Sequence, residues 1–105
     1  MGTLIYGAHQ KLEFDDRLLA HLQIVISTKL RRREGFYLSW RESHDSGSGR
    51  VSIWLDASIP LMFRYTKSAM VTINREWLEE LTLSSNTASG LLITGEAHLS
   101  SEPVD

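Results

Sequence analysis

Hydrophobic and polar positions alternate along three stretches in the middle of the chain and recur at helical spacing along two others. "FYLSWR" sets Phe36, Leu38 and Trp40 against Tyr37, Ser39 and Arg41. "VSIWLD" sets Val51, Ile53 and Leu55 against Ser52, Trp54 and Asp56, and "LMFRY" sets Leu61, Phe63 and Tyr65 against Met62 and Arg64. A period of two is that of a strand with one face buried, and three such strands in succession predict an antiparallel meander. Pro60 marks the start or an edge of its strand, because it cannot donate to a ladder. "ESHDSGSGR" between the first two is polar and rich in Gly and Ser, as a hairpin loop is.

Before the meander, "TLIYG" and "KLEF" read as two short strands, residues 3–7 and 11–14. Asp15 and Asp16 then supply a capping acceptor and negative charge for a helix start, and the pattern predicts a helix over 16–34. At 100° per residue, Leu18, Leu19, Leu22, Val25, Ile26 and Leu30 fall within an arc of about 140°, the width of a face that lies on a sheet. Gly35 suits the left-handed position past the helix end, and the cations of "KLRRR" meet the negative end of the dipole. On this wheel Arg31 and Arg32 point away from the apolar arc. Lys29 and Arg33 fall inside it, their stems covering the sheet edge while their heads reach water or a carboxylate. Asn74 is a good N-cap for a shorter helix over 75–85 that places Trp77, Leu78 and Leu81 on one side. "LLITGEA" supplies a last strand near 91–97. The predicted class is α+β in two layers: a mostly antiparallel sheet of five or six strands with one long and one short helix, in the order β-β-α-β-β-β-α-β. Residues 1–96 form one domain and 97–105 a flexible tail.

Composition narrows the function. The chain has 105 residues, 42% of them hydrophobic, with three Trp, three Tyr and three Phe, enough for one core. No apolar run approaches the ~20 residues a membrane span needs. The absence of Cys excludes disulfides and thiolate chemistry and fits a reducing cytoplasm. The net charge of -2 divides along the chain as -1 over residues 1–28, +3 over 29–50 and -4 over 51–105. A dedicated nucleic-acid binder carries an overall basic excess; here it is only local.

Catalytic signals are weak. His44, Asp45 and Ser46 hold the residue types of a hydrolase triad, but as neighbours in a polar loop they lack the scaffold a triad needs. "GSGR" at 47–50 lies between strands, whereas phosphate loops precede a helix. His9, His21, His44 and His98 lack metal-ligand spacing, and Glu79 and Glu80, being adjacent, diverge from their helix. No catalytic, cofactor or metal site is expected.

The outward side of the meander is more informative. Tyr37, Arg41, Trp54, Met62 and Arg64 make an amphipathic face that suits a protein interface or, with Arg31, Arg32 and Arg50 as phosphate contacts, a nucleic-acid surface. Alternatively the short helix covers it. The expected function is binding without catalysis, by homodimerisation or with a protein partner; weak nucleic-acid binding is the second reading.

"GTLIYG", "DDRLLAHLQIVISTKLRRREGFYLSW", "GSGRVSIWLDASIPLMFRY" and "NREWLEELTLSSNTASGLLI" resemble a family of actinobacterial proteins of about this length, often labelled ATP-dependent DNA ligase. The resemblance covers the chain to about residue 95 and implies a small domain with an accessory tie to DNA processing. A ligase of that kind forms a lysyl-adenylate at K-x-D-G. Lys11, Lys29 and Lys67 are followed by "LEF", "LRR" and "SAM", and none fits.

Overall fold

A computed structural model of the chain describes residues 1–42 and 49–96. Its elements are β1 (Gly2–Tyr6), β2 (Gln10–Phe14), α1 (Asp16–Arg31), β3 (Phe36–Arg41), β4 (Arg50–Leu55), β5 (Leu61–Arg64), α2 (Arg75–Ser85) and β6 (Leu91–Leu92). The class is α+β, and the order is the one the hydrophobic pattern predicts. The triad types at His44, Asp45 and Ser46, the glycine at 47 and the tail from 97 onward lie outside the described residues.

The meander does not form. Among the described residues, six strands divide into two three-stranded sheets, β2-β1-β5 and β4-β3-β6. All pairs are antiparallel except β3 with β6. After β4 the chain enters a turn held by Asp56, whose Oδ1 accepts from the Ser58 amide and hydroxyl. It then leaves β4 and pairs β5 with β1, Phe63 opposite Leu4 and Met62 opposite Ile5. Alternation tells which face a residue takes and says nothing of which strand lies beside it. The edge of β4 left open is bridged by a side chain, since the Tyr6 hydroxyl donates to the Trp54 carbonyl at 2.6 Å, a way of blunting an unpaired edge.

Both sheets and both helices contribute to one core: Leu4 and Phe14 from the first sheet, Phe36, Leu38, Leu55 and Leu91 from the second, Leu19, Leu22, Val25 and Ile26 from α1, and Trp77 and Leu81 from α2. The faces alternate as predicted in β3 and β4. Trp40 turns inward, half-buried, with its ring edge-on to Phe14 at 5.3 Å, while Trp54 turns outward. Ser39 departs from the pattern: it is buried, and its hydroxyl meets that of Ser52 at 2.5 Å, so the hydroxyl keeps a partner.

α1 begins as predicted, the Asp15 carboxylate accepting from the Arg17 amide, but it ends at Arg31, three residues early. The Glu34 amide bonds to the Lys29 carbonyl and the Arg33 amide to that of Leu30, the two bonds of a Schellman ending. The residue in the left-handed position is Arg33, at φ 61°, and not Gly35. Arg33, no longer helical, is exposed. A side chain costs roughly 1–2 kcal/mol in that conformation. Arg33→Gly is therefore expected to raise stability by about 0.5–1 kcal/mol, after allowing for the greater backbone entropy glycine loses, a gain readable as a higher urea midpoint at unchanged slope. Lys29 behaves as its place in the arc suggests. It is buried, and its ammonium reaches Glu34 Oε1 at 3.0 Å and Asn86 Oδ1 at 2.9 Å, tying the C-terminal ends of the two helices together.

Candidate functional site

The register of β3 and β4 sets side chains in rows across the outer face. Tyr37 lies opposite Trp54, Ser39 opposite Ser52 and Arg41 opposite Arg50. Leu92 of β6 pairs with Ser39 on the other flank. Rows two residues apart are about 6.7 Å apart, so over about 13 Å the face runs from the aromatic row, through a middle row in which Ser52 is exposed and Ser39 buried, to the cationic row. Tyr37 is 47% exposed and Trp54 42%, so α2 does not cover them.

Several local features hold the aromatic row. The rings of Tyr37 and Trp54 stand edge to face at 5.2 Å, and the Trp54 indole donates to Asp56 Oδ2 at 2.8 Å. The Asp56 carboxyl is held below its ordinary value by its hydrogen bonds from Ser58 and Trp54. Gly35 is the seat of the indole, for a Cβ there would lie 2.4 Å from Trp54 Cζ2. A side chain at 35 would therefore displace the Trp54 ring, although φ there is not left-handed.

Among the described residues the cationic row has no balancing acid in an ion pair. Like charges directly opposite each other across an antiparallel pair repel, and neither Arg41 nor Arg50 forms an ion pair with a described residue. The other proposed binding residues lie elsewhere. Met62 and Arg64 are exposed on the outer face of the first sheet, where the Arg64 guanidinium contacts the Met62 sulfur at 3.7 Å. The division of the sheet separates them from Trp54. Arg31 and Arg32 are exposed at the end of α1.

A polar cluster at the start of α2 was not foreseen. Arg17 donates to both oxygens of Glu96, at 2.6 and 2.7 Å, and to the Thr72 carbonyl at 2.6 Å. Asn74, the N-cap of α2 as predicted, also donates to Glu96, at 2.9 Å. Hydrogen bonds from Arg17 and Asn74 hold the Glu96 carboxyl down at about 2. His21 is fully buried; its Nε2 accepts from the Asn74 amide, which leaves Nδ1 to carry the proton donated to the Arg17 carbonyl. The ring lies 4.6 Å from that of Trp77. Every member has a bonding partner, as a framework requires. Among the described residues no group of three or more His, Asp or Glu could hold a metal ion, and no helix is long and apolar enough to cross a membrane.

The fold and this face define a small α+β domain with an open, aromatic and cationic sheet surface. The chain belongs to a family described as a domain of unknown function, DUF7882, whose model matches residues 1–96. Comparison with curated proteins and with solved structures found no match.

Proposed function

We propose that the chain is a non-catalytic binding domain that acts by protein contact, associating with a second copy of itself through the outer face of β4-β3-β6. The observation that carries this reading is the polarity of the face, with Tyr37 and Trp54 at one end and Arg41 and Arg50 at the other. A two-fold axis lying between two such faces, through the serine row, sets each copy's arginines over its partner's aromatic rings. That is the self-complementarity an isologous dimer requires. Each cation over a ring contributes about 0.5–1 kcal/mol at an exposed site. The strip is roughly 14 by 20 Å from strand spacing and rise, far below the about 800 Å² per partner of a stable complex, so the dimer is weak and depends on concentration. The absence of Cys suits the reducing cytoplasm where we place it.

Sedimentation velocity over a concentration series tests this. Trp54→Ala and Arg41→Glu are each expected to weaken association about tenfold or more, the loss of about 1.4 kcal/mol, with folding retained because both positions are exposed. A wild-type protein that stays monomeric at millimolar concentration, or variants that associate as well as it does, would refute the reading.

The pair Arg41 and Arg50, in no ion pair with a described residue, favours a second reading, weak binding of single-stranded nucleic acid, with bases stacked on Trp54 and phosphates at the arginines. This reading would accommodate the accessory tie to DNA processing that the resemblance implies. Two phosphate contacts give a salt slope of about -1.4 in log K, whereas the dimer responds little to salt. Short oligonucleotides titrated at two salt concentrations therefore separate the two.

A further inference from the structure

We propose that the groove between α1 and the segment 65–73 binds a small amphipathic anion, an apolar body carrying a single carboxylate or sulfonate head. The side of α1 turned away from the core carries an apolar residue where a polar one is expected, Ile24, 39% exposed. Across from it the chain runs without helix or strand from residue 65 to 74. This strap is tied to α1 at both ends. The Thr66 and Lys67 amides bond to the Asp16 carboxylate at 3.1 and 3.3 Å, and farther along Arg17 donates to the Thr72 carbonyl and the Asn74 amide donates to His21. Residues 68–71 between the ties make no hydrogen bond with a described residue, and a groove of about 520 Å³ stands between them and the helix. That is the size of small-ligand sites.

The chemistry of the lining selects the ligand. Ala20, Ile24, Val71 and Ile73 offer apolar contact, Met70 stands at the rim 94% exposed, and Arg31 and Lys67 are the charged groups, with no acid among the lining residues. Both cations are exposed and neither is in an ion pair with a described residue. On a chain of net charge -2, a groove whose charged lining residues are Arg31 and Lys67 favours an anion with an apolar body over a neutral or cationic one. Asp16 lies at the Lys67 end, at the start of α1, so the head is placed toward Arg31 and the body along Thr28, Ile24 and Ala20. From Ala20 to Arg31 the helix rises about 16 Å, room for an elongated molecule. This inference is independent of the sheet face.

The probe is 1-anilinonaphthalene-8-sulfonate, which is apolar and carries one negative charge. Its fluorescence is expected to rise on binding at one site per chain. Decanoate should displace it at least tenfold more effectively than decanol, which has the same chain without the charge. Ile24→Glu, at an exposed helical position, is expected to abolish binding with the far-ultraviolet spectrum unchanged. Arg31→Glu should weaken it about tenfold, the value of one lost charge contact, and Trp54→Ala should leave it as it is. Should Ile24→Glu fail to fold, Arg31→Glu and Lys67→Glu carry the test. No enhancement, binding that survives these substitutions, binding lost in Trp54→Ala instead, or equal displacement by decanol would each overturn the proposal.

Discussion

Gly90→Ala is expected to cost about 3 kcal/mol or more, enough to unfold much of a marginally stable domain of this size. Two causes add. Gly90 holds φ at +88°, a conformation that strains any residue with a side chain by roughly 1–3 kcal/mol. An added Cβ would also lie 2.4 Å from the Tyr37 carbonyl oxygen and 2.8 Å from its Cβ. These atoms belong to the central strand of the second sheet and cannot give way as an exposed side chain would. Relief of the clash must part β6 from β3 or move Tyr37, so the substitution reaches the proposed binding face as well as the core. Two other glycines serve as controls. Gly7 has φ at +68° with nothing within 4 Å of an added Cβ, and Gly49 is equally open without the positive φ. Urea denaturation should give a loss of about 1 kcal/mol for Gly7→Ala, from strain alone, and a change within about 0.5 kcal/mol for Gly49→Ala. Equal losses at Gly7 and Gly90 would show that contact with Tyr37 is unimportant.

The hydrophobic pattern revealed the elements better than their assembly. Period two marks β3, β4 and β5 because each buries one face, and the inward and outward assignments of Trp40 and Trp54 follow from it. The neighbour of β5 was not legible, since any strand with an apolar face of matching length can pair with it. What sends it to β1 is the Asp56 turn and the pairing itself, which no local signal records. The early end of α1 was hidden for a different reason. Lys29 and Arg33 both sit in the apolar arc of an ideal wheel, and a glycine two residues later competes with Arg33 for the left-handed position. The Schellman bonds decide for Arg33, while Gly35 answers to the Trp54 ring instead.

The proposed binding face was legible in part. Tyr37, Arg41, Trp54 and Arg50 come together because cross-strand register follows from a hairpin, a local relation. Met62 and Arg64 separate from them because that depended on the distant pairing of β5. Leu92 joins the face through a parallel pair with β3, which the sequence order alone does not announce. The cluster around Glu96 was illegible, for its members lie up to 79 residues apart. A histidine just outside the apolar arc of a helix is a hint of burial and no more.

Glu96→Gln is expected to cost about 1–2 kcal/mol at neutral pH and almost nothing in strong acid. The carboxylate receives two short bonds from Arg17 and one from Asn74, charge-assisted bonds that weaken when the acceptor is a neutral amide. Its acidity is about 2 against an ordinary 4.5. A carboxyl depressed on folding adds stability above its unfolded value and loses that contribution as the pH falls through its folded value. The wild type should therefore lose this contribution between about pH 4.5 and 2, while Glu96→Gln, with nothing to titrate there, should show a shallower acid decline. The Arg17 and Glu96 side chains are 36% and 24% exposed, so solvent screening reduces the effect below what the full shift would give. The consequences extend past the pair. The same guanidinium holds the Thr72 carbonyl and the same carboxylate holds the cap of α2, so losing either frees one end of the strap beside α1. Chemical denaturation of both proteins at several pH values between 2 and 7 supplies the check. A stability difference that stays constant across that range would mean Glu96 acts through its shape and hydrogen bonds, with no part for its charge.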